Sequence, residues 1–429
     1  MITQPSAPST QHSTLNPQHS TLNPQHSALS TQPSAPSPQP SAPSPQSSTL
    51  SPQPSTLRPP SSVLITGGAG FIGSNFVHYW IKKYQEDRVV ILDALTYAGN
   101  PANLEPVANH PQYRFVHGDI RDYDLVVKLL QEEKIDTIVH FAAESHVDRS
   151  IHGPDAFVDT NIIGTHTLLK AAKKVWLDRS SEKSESSLIA QSSVLSPPSS
   201  LCRFHHVSTD EVYGSLGLDD PAFSETTAYA PNSPYAASKA GSDYLVRSYF
   251  KTYGLPMTIS NCSNNYGPYQ FPEKLIPLLI LNCLAGKSLP IYGDGLNIRD
   301  WLHVDDHCRG IDLVLKKGTV GQTYNIGGNC EKTNMEVVEA ICRLMDELSP
   351  NKDSVPYSSL ITYVKDRLGH DRRYAIDANL ITSELGYAPA ESFETGLRKT
   401  VEWYLANQDW CQNVMVGNYR EWIEKNYEK

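Results

Sequence analysis

A glycine-rich turn between an apolar run and a helical pattern constrains the fold of this chain more than any other feature. Ser62-Val-Leu-Ile-Thr66 has the β-branched, apolar character of a buried strand, and it leads into Gly67-Gly-Ala-Gly70-Phe-Ile-Gly73. A helical pattern follows through Tyr84. In a strand–turn–helix unit, such glycines let the backbone approach a pyrophosphate, whose oxygens then face free amides at the helix start. The spacing predicts a dinucleotide-binding turn, and a glycine turn without a ligand is the alternative.

An acid at the end of the next apolar run supports the dinucleotide hypothesis. The run Arg88-Val-Val-Ile-Leu-Asp93 reads as a second strand and ends in a carboxylate. An acid at this place can accept hydrogen bonds from both ribose hydroxyls and would repel a 2′-phosphate. Asp93 therefore favours NAD over NADP as the cofactor.

Strand-like runs and helical patterns continue to alternate up to residue 260. Further strands are predicted at 113–117, 137–141, 204–208 and 254–260, and further helices at 124–133, 155–176 and from Pro234 onwards. Such repetition is typical of an α/β fold with a doubly wound parallel sheet of the Rossmann type, which binds ligands at the carboxyl ends of its strands. We expect an NAD-binding Rossmann domain at 61–265. We expect a smaller C-terminal α/β substrate-binding subdomain at 266–429, with the chain crossing between the two.

Two segments fall outside this alternation. Residues 1–60 repeat Ser, Pro, Gln and Thr with few apolar or charged residues, and this composition predicts a disordered tail. Residues 178–200 are Ser-rich and predict a low-complexity surface insertion. The tail reads as an inert spacer or as a tether for partners, and the insertion as an inert or a phosphorylated loop; the inert interpretation is favoured for both.

Composition excludes several classes of function. The net charge of −10 argues against a general nucleic-acid binder. No apolar run approaches the roughly 20 residues that a membrane-spanning helix needs. The start of the chain lacks the pattern of a secretory signal. The seven cysteines show no spacing typical of a zinc site, so we expect no metal and reduced thiols in a cytoplasmic protein.

A tyrosine and a lysine one helical turn apart are candidates for catalysis. On a helix, Tyr235 and Lys239 of Tyr-Ala-Ala-Ser-Lys would share one face. The lysine charge favours the phenolate, so the tyrosine could act as a base below its usual pKa near 10. An exposed helical pair without function is the alternative.

The triplet Thr209-Asp210-Glu211 adds a second chemical capability. A hydroxyl beside Tyr235 and Lys239 is sufficient for oxidation of an alcohol by NAD. Two adjacent carboxyls can supply the base and the acid for elimination of water next to the new ketone. Like charges so close also raise one of the two pKa values, which keeps one carboxyl protonated. A carboxyl that only caps the following turn is the alternative.

A second polar patch lies near the C-terminal end. Asp366-Arg-Leu-Gly-His370 is followed by Arg372 and Arg373, and aromatic residues precede it in short runs. Arginines with a histidine and aromatics suit a nucleotide diphosphate. Surface ion pairs are the equally weighted alternative for Arg372 and Arg373.

Several stretches together resemble one family. They are Thr-Gly-Gly-Ala-Gly-Phe-Ile-Gly, Ala-Ala-Glu-Ser-His-Val-Asp-Arg-Ser, Ser-Thr-Asp-Glu-Val-Tyr-Gly, Ser-Pro-Tyr-Ala-Ala-Ser-Lys-Ala, Asn-Cys-Ser-Asn-Asn-Tyr-Gly-Pro-Tyr and Ile-Arg-Asp-Trp-Leu. From Ser62 to the C-terminus, the chain resembles the dTDP-glucose 4,6-dehydratase family of extended short-chain dehydrogenases. One departure is Leu368, where the family usually has a proline.

The resemblance implies a hydro-lyase that uses bound NAD in nucleotide-sugar metabolism, such as rhamnose-type deoxysugar and cell-surface polysaccharide synthesis. dTDP-glucose would be oxidised at carbon 4, would lose water across carbons 5 and 6, and would receive the hydride at carbon 6. Tyr235, with Lys239, would deprotonate the 4-hydroxyl, which Thr209 binds. Glu211 would remove the proton from carbon 5, and Asp210 would protonate the leaving 6-hydroxyl.

The glycine turn and the resemblance also indicate binding residues. Those expected to contact NAD are Gly67, Gly70, Phe71, Ile72, Gly73, Asp93, Ala94, Leu95, Thr96, Asp119, Ile120, Phe141, Ala142, Ala143, Ser145, Thr160, Tyr235, Lys239 and Asn265. Those expected to hold the sugar nucleotide are Ser145, Thr209, Asn264, Lys274, Leu275, Pro290, Ile291, Tyr292, Arg299, Asn334, Asp366, Arg367 and His370. The family also implies a homodimer in which the helices at 155–176 and 235–253 pack into a four-helix bundle.

Two other functions stay open on the sequence. Another nucleotide-sugar 4,6-dehydratase or a 4-epimerase acting on a UDP-sugar could share this fold; an epimerase would not need Asp210 and Glu211, and its product would keep the 6-hydroxyl. A catalytically silent NAD-binding scaffold that recruits partners through the tail would leave dTDP-glucose unchanged.

Overall fold

The computed structural model describes residues 61–178, 202–351, 353–366 and 369–415. The predicted tail at 1–60 and residues 179–200 of the predicted insertion lie outside them. Among the helices within these ranges, none combines the length and the apolar character that crossing a bilayer requires.

The chain alternates strands and helices through most of its length. The strands are β1 Ser62–Thr66, β2 Arg88–Asp93, β3 Tyr113–His117, β4 Thr137–His140, β5 Arg203–Thr209, β6 Met257–Cys262, β7 Asn264–Tyr266, β8 Leu289–Tyr292, β9 Ile298–His303, β10 Thr323–Ile326, β11 Glu331–Thr333 and β12 Ile361–Val364. The helices are α1 Phe71–Lys83, α2 Tyr123–Glu132, α3 Val147–His152, α4 155–178, α5 Pro234–Tyr253, α6 Leu275–Ala285, α7 Val304–Lys317, α8 Asn334–Leu348, α9 Asn379–Leu385, α10 Phe393–Ala406 and α11 Gln408–Val414.

Within the described residues, seven parallel strands form the main sheet in the order β3-β2-β1-β4-β5-β6-β10. The order reverses between β1 and β4, which is where a doubly wound sheet opens a crevice for a ligand at the carboxyl ends of its strands. The α/β fold class with a doubly wound Rossmann sheet is therefore confirmed.

Helices cover both faces of the sheet, and the strands are apolar on both sides for that reason. Alternate residues of β1 face opposite layers: Val63 and Ile65 pack with one cluster that includes Phe76 of α1, whereas Leu64 packs with another that includes Val246 of α5. These side chains are fully buried. Such burial fixes the register of the strands, and the register fixes where their carboxyl ends lie.

After the alternating strands and helices of the main sheet, the chain forms smaller sheets and a separate buried apolar cluster. β9 pairs with β7 in parallel and with β11 in antiparallel fashion, and β12 pairs with β8 in parallel. The chain then crosses back, because β10 pairs with β6 at the edge of the main sheet. The domain boundaries at 61–265 and 266–429 stay a prediction.

The predicted strand at 254–260 begins three residues later, at Met257. Gly254 instead ends α5: it has a φ of +72°, and its N–H donates to the carbonyl of Phe250 at 2.9 Å. A glycine in this left-handed conformation is a common way to close a helix.

The helical run α4 is not uniform. Val158–Gly164 and Lys173–Asp178 are wound with the wider π-helical hydrogen-bond pattern, and the rest is α-helical. π-helical turns inside α-helices are frequent at functional sites. Here the first of them carries Thr160, one of the predicted NAD contacts.

Candidate active site

One cavity at the carboxyl ends of the central strands brings the main sequence motifs together. Many of the residues that line it were predicted as site residues. They are Gly67, Gly70, Phe71, Ile72, Gly73, Asp93, Ala94, Thr96, Asp119, Ile120, Phe141, Ala142, Ala143, Ser145, Thr160, Thr209, Asp210, Glu211, Tyr235, Lys239, Asn264, Asn265 and Lys274. Both carboxyls of the Thr-Asp-Glu triplet thus share a cavity with the glycine turn.

The glycine turn packs so closely that side chains cannot fit. Gly67 has a φ of +71°, and a Cβ built on it would lie 2.6 Å from the backbone nitrogen of Ala142. A Cβ on Gly73 would collide with the carbonyl oxygen of Gly67. The backbone at the start of α1 is therefore bare, as a pyrophosphate site requires.

Asp93 closes this turn from the end of β2. Its Oδ2 accepts from the N–H of Ala69 at 2.8 Å, and its Oδ1 accepts from the N–H of Leu95 at 2.8 Å. Burial raises its pKa, while these two N–H groups act in the opposite direction. Leu95 does not line the cavity but holds the carboxylate with its backbone. Because each carboxylate oxygen can accept more than one hydrogen bond, the group fits a ribose diol and hence a dinucleotide.

We expect Gly73→Ala to abolish retention of NAD through purification, because the new methyl group must displace the backbone of Gly67. The measurement is the ratio of nicotinamide to protein in the purified variant. Gly153→Ala is the matched control, since the nearest neighbour of a Cβ there is 4.0 Å away. A Gly73→Ala protein with a full complement of NAD would contradict the assignment of this turn.

Asn161 braces the cavity wall between β4 and α5. Its Oδ1 accepts from the N–H of Glu144 at 2.9 Å, and its Nδ2 donates to Glu144 O at 3.0 Å and to Ser238 Oγ at 2.8 Å. Asn161 follows Thr160 in the first π-helical stretch of α4. In this π-helical turn Thr160 lines the cavity, and Asn161 binds the backbone of the loop after β4.

Tyr235 and Thr209 meet at the centre of the cavity. Pro234 occupies the first turn of α5, and Ser233 caps it by accepting from Ala236 N–H at 3.1 Å. Burial raises the pKa of Tyr235 well above its usual value, and the charge of Glu211 adds to this, whereas a hydrogen bond with the Thr209 side chain lowers it. The two hydroxyls thus line the same cavity.

Lys239 lies one turn further along α5 and is almost fully buried. Its Nζ donates to the carbonyl of Val207 at 2.8 Å. Burial and the nearby carboxylates are the larger influences on the pKa of Tyr235, and they raise it. That Lys239 acts in the opposite direction stays a prediction. The hydrogen bond to Val207 also anchors Lys239 to β5, directly before the Thr-Asp-Glu triplet.

The neighbouring acids differ in their surroundings. Asp210 is buried, and burial followed by the charge of Glu211 raises its pKa well above the usual value. Its Oδ1 accepts from Thr209 Oγ1 at 3.3 Å, and within the described ranges its buried Oδ2 has no hydrogen-bond partner. Glu211 is half-buried. The pair therefore presents a buried carboxyl whose pKa is raised and a second carboxyl that is more exposed.

The remaining described residues predicted for the substrate do not line this cavity, and we call them the outer group. They are Leu275, Pro290, Ile291, Tyr292, Arg299, Asn334, Asp366 and His370. His370 and Asp366 interact at 2.6 Å, and the His370 ring meets the edge of Tyr292 at a centroid distance of 6.3 Å. The side chain of Ile291 is buried in the core, so only its backbone can face a ligand. Arg367, like Leu368, lies outside the described residues.

Arg299 connects this outer group to the cavity. Its guanidinium donates to the carbonyl of Asp371 at 2.9 Å and lies 4.3 Å from the ring centre of Tyr374. Its charge also lowers the pKa of Asp210, against the larger effect of burial. Of the outer group, Arg299 therefore lies near enough to Asp210 for its charge to act there.

Arg372 and Arg373 make ion pairs. Arg372 Nη1 lies 2.9 Å from Asp294 Oδ1, and Arg373 binds Glu331 through two hydrogen bonds of 2.6 and 2.9 Å. Of the two alternatives for these arginines, the structure shows the ion pairs.

Tyr97, Gln270, Phe271 and Glu273 also line the cavity and were missed by sequence reasoning. Burial raises the pKa of Glu273 to about 7. The guanidinium of Arg149 lies 3.8 Å from the ring centre of Tyr97. Only the position of Glu273 directly before Lys274 could have indicated it, because the loops that bring these side chains together have no regular pattern.

Comparisons with known proteins agree with this geometry. A sequence profile of the family described as GDP-mannose 4,6 dehydratase matches residues 64–400. A dTDP-glucose 4,6-dehydratase of Shigella flexneri is 55% identical over 374 residues, which cover 85% of this chain and 99% of that protein.

Solved structures show the same fold. The dTDP-glucose 4,6-dehydratase DesIV of Streptomyces venezuelae, solved with NAD bound, superposes with a TM-score of 0.72 at 49% identity, covering 82% of this chain and 99% of that one. A UDP-glucose 4-epimerase of Thermotoga maritima superposes with a TM-score of 0.68 at 26% identity, covering 81% of this chain and 99% of that one. The similarity in sequence is therefore about twice as high to the dehydratase as to the epimerase.

Proposed function

The chain belongs to the family of dTDP-glucose 4,6-dehydratases, and from this premise we infer how its cavity performs the reaction. The protein is a hydro-lyase with NAD as cofactor: it oxidises dTDP-glucose at carbon 4, eliminates water across carbons 5 and 6, and returns the hydride to carbon 6. The product is dTDP-4-keto-6-deoxyglucose. The observation that carries this conclusion is the Asp210–Glu211 pair beside Tyr235 in the cavity of the glycine turn.

We propose that Tyr235 removes the proton of the 4-hydroxyl while Thr209 hydrogen-bonds the same oxygen. Both side chains line the cavity, which supports this, because a substrate oxygen placed between two such hydroxyls is bound by both. NAD, held by the glycine turn and Asp93, supplies the hydride acceptor and donor of the reaction. Lys239 provides the positive charge that favours the phenolate.

We propose that Asp210 is the acid and Glu211 the base of the elimination. The raised pKa of Asp210 favours its protonated form, whose proton can be given to the leaving 6-hydroxyl. The half-buried Glu211 would take the proton from carbon 5, which the neighbouring ketone acidifies. The greater burial of Asp210 supports this division of roles between the two adjacent carboxyls.

The 4-epimerase alternative is not favoured. An epimerase needs the tyrosine, the lysine and the cofactor site, but it has no use for an acid–base pair at carbons 5 and 6. In an epimerase Asp210 would have no catalytic role. Its buried Oδ2, which lacks a hydrogen-bond partner within the described residues, would then only lower the stability of the fold.

The outer group is the proposed site of the nucleotide. Arg299 would pair with a phosphate, while Tyr292, Asn334 and the segment from Asp366 to His370 would contact the base and ribose. Ser145 and Lys274, whose Nζ donates to Ser145 O at 3.2 Å, would lie at the sugar.

Parallel incubations with dTDP-glucose and UDP-glucose test this function. The alkaline absorbance of a 4-keto-6-deoxy sugar should appear with dTDP-glucose. A product that keeps its 6-hydroxyl would favour an epimerase, and unchanged dTDP-glucose with NAD-loaded protein would favour a silent scaffold.

We propose that the protein is a homodimer joined through α4 and α5. Both helices carry large apolar side chains at the surface: Val158 and Ile163 on α4 are 46% and 47% exposed, and Tyr244 and Tyr253 on α5 are 56% and 48% exposed. Pairing these faces with a second copy would bury them.

We expect Ile163→Asp to convert the dimer into a monomer, because a carboxylate at a packed helical interface would be desolvated without a partner. Light scattering after gel filtration measures the mass. Leu218→Asp is the control, since Leu218 is 60% exposed and lies outside both helices. A dimer that persists in Ile163→Asp would contradict this interface.

We further propose a place for the reaction in rhamnose-type deoxysugar synthesis for cell-surface polysaccharide, in the cytoplasm. All seven cysteines are free thiols, which suits a reducing compartment.

Removal of residues 1–60 should leave turnover of dTDP-glucose unchanged.

A further inference from the structure

A buried polar cluster lies beneath the cavity, between α5 and β5. Its centre is Asp243, which is fully buried. Asp243 Oδ2 accepts from Ser208 Oγ at 3.0 Å and from Tyr229 Oη at 2.9 Å, and Oδ1 lies 3.2 Å from His206 Nε2. A buried carboxylate is costly to desolvate, so its presence here needs a reason.

The cluster is joined directly to the reacting groups. Asp243 follows Lys239 by one turn of α5, so both side chains lie on the same face. Two consecutive residues of β5 bind the helix: Val207 O accepts from Lys239, and Ser208 donates to Asp243. Thr209 follows them and lines the cavity together with Tyr235. The end of β5 is thus fastened to α5 immediately before Asp210 and Glu211.

The charge of Asp243 opposes the desolvation of Lys239. Burial lowers the pKa of Lys239 to about 8, and Asp243 acts to raise it. Burial likewise raises the pKa of Asp243 to about 6, and Lys239 acts to lower it. Each group therefore stabilises the ionised form of the other.

The other ionisable groups around this pair leave Asp243 as the counter-charge. They are His206 of β5, His140 of β4, Cys262 of β6, Arg247 of α5, and Tyr213 and Tyr229 from the segment between β5 and α5. Burial lowers the pKa of both histidines well below the usual range and raises that of Cys262 to about 12. The histidines, Cys262 and the tyrosines are neutral near pH 7, and the charge of Arg247 acts on Asp243 in the same direction as that of Lys239. Asp210 and Glu211 line the cavity with Lys239, and both act to raise the pKa of Tyr235.

We propose that Asp243 is a positioning residue for the dehydration: its carboxylate keeps Lys239 charged and, through Ser208, fixes the end of β5 against the helix that carries Tyr235. The role rests on the proposed function of Tyr235 and Lys239, because Asp243 acts only through them.

The proposal predicts the direction in which the pH dependence of activity changes. We call the fall in activity at high pH the alkaline limb of the profile, and the fall at low pH the acid limb. As pH rises through the pKa of Lys239, the ammonium loses its proton and the phenolate of Tyr235 loses its cation, so activity falls. Removing the carboxylate lowers the pKa of Lys239 and must move this alkaline limb to lower pH. A change that only loosened the packing would reduce activity at every pH and leave the limb in place.

The test is the pH profile of kcat/KM for dTDP-glucose in Asp243→Asn. We expect the alkaline limb to move down by about one pH unit and kcat at pH 8 to fall by at least about tenfold, with KM within about twofold. Asp243→Glu should bring the limb back toward the wild-type position. An Asp243→Asn enzyme with an unmoved limb would overturn the proposal.

A second variant keeps the test decisive if Asp243→Asn does not fold. Tyr229→Phe removes one donor from the carboxylate, which should raise the pKa of Asp243 and move the acid limb to higher pH. Tyr363→Phe, which removes an exposed hydroxyl on β12, should leave both limbs in place. An acid limb in Tyr229→Phe that matches the wild type would also count against Asp243. Absence of turnover in the wild-type protein would instead contradict the proposed function, and this role would fall with it.

Discussion

Replacing Tyr235 by phenylalanine is expected to lower kcat by about 10²- to 10⁴-fold while NAD stays bound. The variant keeps the ring that packs against Phe157 but loses the hydroxyl whose phenolate form would accept the proton of the 4-hydroxyl. The measurement is steady-state formation of the 4-keto-6-deoxy product, with the nicotinamide content of the protein determined in parallel.

Tyr253→Phe is the matched control, because it removes a hydroxyl from the same helix at a position that is 48% exposed. Its turnover should equal that of the wild type. If Tyr235→Phe turned over at the rate of this control, another group would have to be the base, and the account of the cavity would be wrong.

Replacing Glu211 by glutamine is expected to reduce product formation by about 10²-fold or more while leaving oxidation at carbon 4 possible. The amide keeps the shape of the side chain but cannot accept the proton from carbon 5. Substrate should therefore stop as a 4-keto sugar that still carries its 6-hydroxyl, and reduction with borohydride followed by mass analysis would detect it.

The control for this variant is Glu339→Gln on the exposed surface of α8, which should have wild-type turnover. Wild-type turnover in Glu211→Gln would show that Glu211 is not the base that removes the proton from carbon 5. It would also make the difference in burial between Asp210 and Glu211 irrelevant to the chemistry.

The sheet, and the cavity that holds the candidate reacting residues, could be predicted because their signals are local. The strand and turn at 62–73 need only the glycines and the adjacent apolar run, and the shared face of Tyr235 and Lys239 needs only helical spacing. The separate roles of Asp210 and Glu211 came from the family resemblance and stay predictions; burial raises the pKa of Asp210, in the direction that an acid requires.

Other features depend on contacts between distant segments, and the sequence does not reveal them. β10 is a strand of four residues whose place at the sheet edge is set by β6, far earlier in the chain. Gly254 resembles the start of a strand because apolar residues follow it, but its left-handed conformation ends α5.

The charges in the cavity were the least predictable part. Helical spacing suggested that Lys239 acts on Tyr235, but burial and the carboxylates dominate the pKa of the tyrosine. Asp243 and Glu273 belong to no recognisable motif. Burial raises the pKa of both carboxyls, and this burial exists only in the folded chain.

The path of the hydrogen on carbon 4 tests the central claim most directly. dTDP-glucose that carries deuterium at carbon 4 is converted by the protein in ordinary water, and the product is analysed by NMR. The account predicts a 4-keto-6-deoxy sugar with the deuterium at carbon 6, because the hydride leaves and returns within one turnover. Deuterium that stays at carbon 4 of a sugar with its 6-hydroxyl intact would contradict it.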